Sequence, residues 1–161
     1  MGKLLDVQRN LVREAYDRLS PLPGGKRMFS RLVGLMAPYT ATIGAEVVEV
    51  SQGYARVRLA DRRAVRNHLD CVHAIALANL AELTGNLALS YSMPDDARFI
   101  VAGMEIEYLK KARGPIVGEC ECEIPPDSEK REYPTPVRML NRDGVVVATA
   151  MLRTLVGPKP R

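Results

Sequence analysis

Hydrophobic and polar residues alternate with two different periods along this chain. In the first part the spacing is helical, with apolar residues at Leu4, Val7, Leu11, Ala15 and Leu19. Residues 20–25 contain two prolines and two glycines, which end this first helix. A second helix is predicted over residues 26–36, with Met28, Leu32 and Leu35 on one face, and Pro38 ends it.

From residue 45 the period changes to two, which is typical of strands. Residues 45–50 and 54–59 predict an antiparallel pair joined by a turn at 51–53. The same period returns at 100–110, 116–124, 137–140 and 145–156. An Asp-Gly turn within residues 141–144 predicts that the last two strands form a hairpin. In the strand 100–110 we expect one apolar face, made of Ala102, Met104, Ile106 and Tyr108.

The segment between these two groups of strands is apolar around most of the helical circumference. Residues 72–89 are mostly Val, Ile, Leu or Ala, and a helix of that kind is buried rather than lying on a surface. The pattern therefore predicts an α+β architecture, in which an antiparallel sheet of about six strands wraps one long helix. Glu82 lies in the middle of this helix, where an ionised carboxylate is costly unless something offsets the cost. Glu82 is thus the first candidate for chemistry.

Composition narrows the class of protein. With 161 residues, 47% hydrophobic and 26% charged, the chain fits a soluble globular protein with a real core, divided here into a helical extension (1–38) and a main domain (39–161). A net charge of +4 without concentrated basic runs does not indicate nucleic-acid binding, and no apolar stretch is long enough to span a membrane. Three unpatterned cysteines and no secretory signal lead us to expect a reduced, cytoplasmic protein without a zinc site.

Three segments together resemble one known family. They are Asn67-x5-His73-x8-Glu82, the stretch Glu105-Ile-Glu-Tyr-Leu-Lys-Lys-Ala-Arg-Gly-Pro115, and the closing hairpin Val137-Arg-Met-Leu-Asn-Arg-Asp-Gly-Val-Val-Val-Ala-Thr-Ala150. In this order they are similar to the hotdog-fold acyl-CoA thioesterases, in a less characterised branch with extra N-terminal helices. The resemblance covers roughly residues 40–157 and implies a hotdog fold. Fold alone does not deliver function.

The resemblance also implies a site. In such thioesterases a carboxylate on the central helix attacks the thioester or activates water, an Asn precedes the helix, and a His-Gly-Gly turn offers N–H groups to the substrate carbonyl. By position these roles fall on Glu82, Asn67, His73 and the backbone N–H of Ala74. Ala74 and Ile75 replace the two glycines, which restricts the backbone there.

The expected ligand is a small acyl thioester, with no cofactor beyond the coenzyme A of the substrate and no metal. Its phosphates would meet Arg63, Arg66, Lys111 and Arg113, although solvated surface charge is the commoner explanation for such residues. His73 and Glu82 are about 13 Å apart along one helix. The resemblance implies that each site is built across a homodimer, or within a dimer of dimers.

Each candidate residue also has a structural interpretation that involves no chemistry. Asn79, Glu82 and Asn86 form a polar stripe that would face solvent or a subunit interface. Asn67 would satisfy backbone groups of its turn, His73 would bond the preceding loop, and Cys71 would be a small buried residue. The alternative to hydrolysis is a catalytically silent acyl-thioester or lipid-binding protein. A hydratase of the same fold is disfavoured, because no loop like His-Phe-Pro-Gly surrounds either histidine.

Overall fold

The computed structural model describes residues 8–160, which form four helices and six strands. The helices are α1 (Leu11–Leu19), α2 (Gly25–Met36), α3 (Pro38–Ala41) and α4 (Ala74–Ser92), with a 3-10 turn at Arg63–Val65. The strands are β1 (Glu46–Ser51), β2 (Tyr54–Leu59), β3 (Ala97–Tyr108), β4 (Ile116–Glu121), β5 (Arg131–Leu140) and β6 (Val146–Pro158). All six join in one antiparallel sheet of order β1-β2-β4-β5-β6-β3. The predicted α+β architecture is confirmed.

The long helix α4 lies directly on the sheet, as its apolar sequence predicts. Leu80, Ala81 and Ala88 are fully buried. The contact is closest at Gly118 of β4, where a Cβ atom would come within 2.5 Å of the Thr84 hydroxyl oxygen. Thr84 turns that hydroxyl back to the Leu80 carbonyl at 2.7 Å, so its polar atom is satisfied inside the core. Glycine is therefore required at 118 for the helix to approach the sheet.

Strand β5 is longer than predicted, and two prolines explain the difference. The sequence predicts this strand only from residue 137, whereas β5 begins at Arg131. Pro134 and Pro136 lie in the half of β5 that pairs with β6 alone, while only residues 137–140 also pair with β4. Proline lacks a backbone donor and is tolerated where one side of a strand has no partner.

Strand β3 is an edge strand, and a bulge divides it. Its backbone partners all lie in β6, from Ala97 opposite Pro158 to Tyr108 opposite Ala148. The register shifts between Val101 and Gly103, which makes Ala102 the extra residue. Because a one-residue bulge reverses the alternation of faces, Val101 and Ile106 both pack against the core. The other edge of β3 is unpaired within the described chain.

The N-terminal helices pack into the same core as the sheet. Helix α1 begins at Leu11, and residues 8–10 before it are not helical; Leu4 and Val7 of the predicted helix lie outside the described residues. The ring of Tyr16 contacts that of Phe29 edge-on at 5.1 Å, and its hydroxyl accepts a hydrogen bond from Val50 N at 3.0 Å. Division of the chain at residue 38 stays a prediction.

Two details of this region differ from expectation. Phe29 is the large buried side chain of α2, while the predicted face of Met28, Leu32 and Leu35 is exposed. Pro38 does end α2, but it also opens the short helix α3, since proline suits the first position of a helix. No helix within residues 8–160 is long and apolar enough to cross a membrane.

Candidate active site

The N-terminus of α4 presents a backbone donor that has no acceptor within residues 8–160. His73 is the N-cap, and its Nδ1 accepts a hydrogen bond from Ile75 N at 3.1 Å. Histidine is not among the favoured N-cap residues, but its ring nitrogen takes the place of a Ser or Asp oxygen here. The N–H of Ala74 has no acceptor among residues 8–160, as is expected in the first turn of a helix. A free donor at the positive end of the helix dipole suits a developing oxyanion.

A cleft of about 370 Å³ opens beside this helix end. It brings together Asn67, Ala74 and Lys111, three of the residues predicted for the site, and adds Tyr108 and Lys110. Cys71 and Val72 also line it, and both side chains are buried. The Cys71 thiol donates to the Leu69 carbonyl at 3.3 Å, which fits the structural alternative for this cysteine.

Asn67 holds the loop that leads into α4. Its side-chain oxygen accepts from Leu69 N at 2.9 Å and from Cys71 N at 3.2 Å, and its own backbone N–H donates to Cys71 O at 2.8 Å. Asp70, inside this loop, has a positive φ of 54°. The structural alternative for Asn67 therefore describes what its oxygen does. Its amide N–H₂ has no partner among residues 8–160 and remains available to a ligand.

Glu82 lies in the middle of α4, outside this cleft. Its side chain is half-buried, and within residues 8–160 it has neither a hydrogen bond nor an ion pair. Asn79 and Asn86 flank it on the predicted polar stripe, and the side-chain oxygens of both are buried without a partner in this part of the chain. Within residues 8–160, the one amide hydrogen bond of the stripe runs from Asn79 Nδ2 to Tyr39 O at 3.3 Å. Within one subunit, Glu82 therefore lies apart from His73 and Ala74, as the length of helix between them predicts.

The predicted phosphate-binding cations are not equivalent. Arg66 is engaged by two carboxylates, with Nε 2.6 Å from Asp61 and a terminal nitrogen 2.8 Å from Asp70. Lys111 lines the cleft, whereas Arg63 and Arg113 are exposed and form no ion pair among the described residues. Arg66 therefore holds its own loop together through two ion pairs, whereas the other three cations are available to a ligand.

Sequence reasoning missed two residues that hold this region together. The Tyr108 hydroxyl donates to the Ala74 carbonyl at 3.2 Å, and burial raises its pKa, so the phenol stays a donor at neutral pH. Asp61 accepts from Arg66 and from Gly114 N at 2.9 Å, and the hydrogen bond from Arg66 lowers the pKa of its carboxyl. Tyr108 is the aromatic residue of the second resembling segment, and that position was the available signal for it. Spacing alone does not reveal which loop Asp61 meets.

Comparison with solved structures defines the class. The chain is 32% identical to the structural-genomics protein APC5556, covering 92% of this chain and 97% of that one with a TM-score of 0.78. It is 24% identical to PA5026 from Pseudomonas aeruginosa, a probable thioesterase, over 85% and 97% of the two chains with a TM-score of 0.74. It is 12% identical to the thioesterase HI1161 from Haemophilus influenzae, over 82% and 92%, with a TM-score of 0.70. The protein has the hotdog fold of these thioesterase-family structures, as predicted.

Family membership follows from the sequence itself. A family model, Domain of unknown function (DUF4442), matches residues 25–156, and the chain belongs to this family. The match includes α2 and the whole of α4 with the sheet around it. No curated protein matches the chain.

Proposed function

We propose that this protein hydrolyses acyl thioesters of coenzyme A, with Glu82 as general base or nucleophile. The observation that carries the proposal is the state of Glu82, a half-buried carboxylate on an apolar helix without any partner in residues 8–160. A carboxylate so placed keeps its lone pairs for a water molecule or for the thioester carbon. The thioesterases among the solved structures of this fold support the same reaction class.

The site is proposed to form across a homodimer, since about 12 Å of helix separates Glu82 from Ala74 within one chain. Two features support this. The unpaired edge of β3 offers backbone groups to a second copy, and an exposed edge of this length is normally paired or protected. The Glu82 carboxylate is half-buried and has no partner among residues 8–160, so it is open to groups of a second copy.

The proposed reaction uses groups from both subunits. Glu82 of one subunit takes a proton from water, whose oxygen attacks the thioester carbonyl carbon. Negative charge collects on the carbonyl oxygen, which accepts from the free N–H of Ala74 in the other subunit. The Asn67 amide, also free, orients the water or the carbonyl. The C–S bond then breaks, the carboxylic acid forms, and the thiolate of coenzyme A receives the proton that Glu82 took from water, which restores the Glu82 carboxylate.

Binding of the coenzyme A phosphates is assigned to Arg63, Lys111 and Arg113, together with Lys110, which lines the cleft with Lys111. Arg66 contributes less than the sequence suggested, because Asp61 and Asp70 already neutralise it. We also place the protein in the cytoplasm, where the three free thiols of Cys71, Cys120 and Cys122 stay reduced.

Glu82→Gln tests the proposal. It removes the charge with little change of shape, so we expect an intact fold and a loss of turnover of at least about a hundredfold. Thiol release over acyl-CoAs of several chain lengths is the assay. Glu123→Gln, a change at an exposed glutamate, is the matched control and should keep full activity. Full activity in a well-folded Glu82→Gln protein would refute the mechanism.

Ala74→Pro tests the oxyanion donor and the dimer together. Ala74 is the first residue of α4, a position that accepts proline, and His73 before it is already extended at φ −63° and ψ 141°. The change removes only the N–H, and we expect a loss of roughly 10²–10³ in turnover. Mixing Ala74→Pro with Glu82→Gln subunits creates one intact site in each heterodimer and should restore about a quarter of normal activity. A mixture that stays inactive although its subunits exchange would contradict the composite site.

The alternative function is a catalytically silent protein that binds acyl thioesters or lipids. It is favoured by one observation, the side chain of Ile75, which is 55% exposed where the thioesterase turn has glycine. Under this alternative no acyl-CoA is hydrolysed, and Glu82→Gln leaves binding unchanged or strengthens it, because a half-buried charge disappears.

A further inference from the structure

A larger cavity lies between the N-terminal helices, α4 and the beginning of β3. Its volume is about 530 Å³, within the range of small-molecule sites. Most of its wall is apolar and comes from separate elements: Leu11, Val12, Val33, Met36, Ala37, Leu83, Leu87, Met93, Ala97 and Phe99. The N-terminal helices are therefore part of a binding cavity as well as of the core.

Glu82 does not line the cavity itself, but it lies within one turn of α4 from two residues that do. Leu83, the next residue of α4, lines it, and so does Asn86 of the polar stripe, one turn further along. From there the wall follows α4 through Leu87 to Met93. At 1.5 Å per residue, the path from Glu82 to Met93 is about 16 Å long.

Most polar groups of the wall are engaged within the protein, with the exceptions of Asn86, whose side-chain oxygen has no partner in residues 8–160, and Arg98. Asn10 is 3% exposed, and its amide donates to the carbonyls of Ser90 at 2.7 Å and Met93 at 3.0 Å. Arg9 is paired with Glu14 at 2.7 Å, and Lys159 donates to the carbonyls of Arg9 and Asp95. Arg98 is an exposed cation beside the apolar wall. What the cavity presents to a ligand is mainly hydrocarbon.

We propose that this cavity holds the aliphatic tail of a long-chain acyl thioester, an inference that rests on the proposed function. The carbonyl group lies at Glu82, and the chain runs along α4 towards Met93 between α1 and α2. Each methylene that enters an apolar site gains about fourfold in affinity. An acetyl group would not reach past Leu83, so the cavity selects long aliphatic chains over short ones.

Binding can be measured without hydrolysis, because a thioether has no carbonyl group for water to attack. The chain contains no Trp, so a single introduced tryptophan reports only on its own surroundings. Phe99→Trp places a single fluorophore on the cavity wall, and S-alkyl coenzyme A thioethers of 4, 8 and 12 carbons are the probes. We expect a blue-shifted spectrum and saturation with the 12-carbon thioether, and little change with the 4-carbon one. Met28→Trp, on the exposed face of α2, is the matched control and should respond to none. Leu11→Trp, also on the wall, replaces Phe99→Trp if that variant does not fold.

Filling the cavity provides the second arm. Ala37 is half-buried on the wall, and Ala37→Leu should weaken binding of the 12-carbon thioether at least about tenfold while the 4-carbon thioether is unaffected. Ala60→Leu, on an exposed loop, is the control and should change neither. Equal responses to all three chain lengths, or an Ala37→Leu protein with normal selectivity, would overturn the inference.

The two proposals fail separately. Tight, length-dependent binding without any thiol release from acyl-CoAs would support the cavity and refute hydrolysis. Thiol release that is independent of chain length and of Ala37→Leu would support hydrolysis and overturn the assignment of the cavity.

Discussion

Replacing Asn10 should destabilise the protein more than the loss of an ordinary helix cap does, because Asn10 forms hydrogen bonds to two helices. Its side-chain oxygen caps α1 by accepting from Arg13 N at 3.0 Å. Its amide N–H₂ donates to the carbonyls of Ser90 and Met93 at the C-terminal end of α4, where carbonyls lack partners within the helix. The residue therefore ties the start of α1 to the end of α4.

The magnitude follows from these contacts. Loss of an N-cap costs about 1 kcal/mol, and each of the two hydrogen bonds to α4 contributes about 0.5–1.5 kcal/mol. Asn10→Ala should therefore reduce the free energy of unfolding by about 2–4 kcal/mol. For a chain of this length, that lowers Tm by roughly 5–15 °C. Urea unfolding and thermal unfolding of purified protein measure both quantities.

Asn10→Asp separates the two roles. Aspartate caps a helix as well as asparagine does, so the bond from Arg13 N is kept. A carboxylate cannot donate, however, and it would face the Ser90 and Met93 carbonyls with Asp95 only 3.2 Å from the Asn10 backbone nitrogen. We expect Asn10→Asp to be at least as unstable as Asn10→Ala, and to recover in acid, where the new carboxyl is protonated. An Asn10→Asp protein as stable as the wild type would refute the tie to α4.

Two further changes test the packing and the loops. Gly118→Ala should lower the free energy of unfolding, measured with urea, by about 1–3 kcal/mol, because the new Cβ meets the Thr84 hydroxyl. Adding Thr84→Ala should recover part of the loss. Purely additive effects of the two changes would contradict the close contact. Asp61→Asn should cost about 1–2 kcal/mol at neutral pH. The pKa of Asp61 is lowered in the folded protein, so its stabilisation is present above its unfolded pKa and is lost as pH falls through its folded pKa. A difference between wild type and Asp61→Asn that stayed constant down to strongly acid pH would exclude this role.

The sequence predicted those parts of the fold in which local periodicity and burial agree. Helix α4 is apolar almost all round, strands β2 and β4 alternate strictly, and β1 alternates apart from a register shift between Val47 and Glu49, so each was recognisable without a partner. The first half of β5 was missed because Pro134 and Pro136 are ordinarily signs of a loop. Whether a proline is tolerated depends on which neighbouring strand is absent, and that is a property of the whole sheet.

The candidate site shows the same division. Position on the chain indicated the mouth of α4, where Asn67, Ala74 and Lys111 do meet in one cleft. Position did not indicate that Arg66 is held by two carboxylates, because Asp61 and Asp70 become its neighbours only when the loop folds. The roles of Glu82, Asn67 and His73 in chemistry stay predictions. Residues that connect distant segments, such as Asn10, left no local pattern.

The position of β3 in the sheet has a consequence for how the chain is made. Strand β3 ends at Tyr108, but its one partner in the described chain, β6, begins at Val146. During synthesis β3 leaves the ribosome well before β6 does, with Phe99, Ile100 and Ile106 on a strand that has nothing to pair with. Strand β4 already has both of its partners, β2 and β5, before β6 is made, so the sheet is completed only when β6 pairs with β5 on one side and β3 on the other. A nascent chain stopped before Val146 would expose both edges of β3. Pairing of the final thirteen-residue strand, β6, with β3 is therefore the folding step that protects this protein from aggregation.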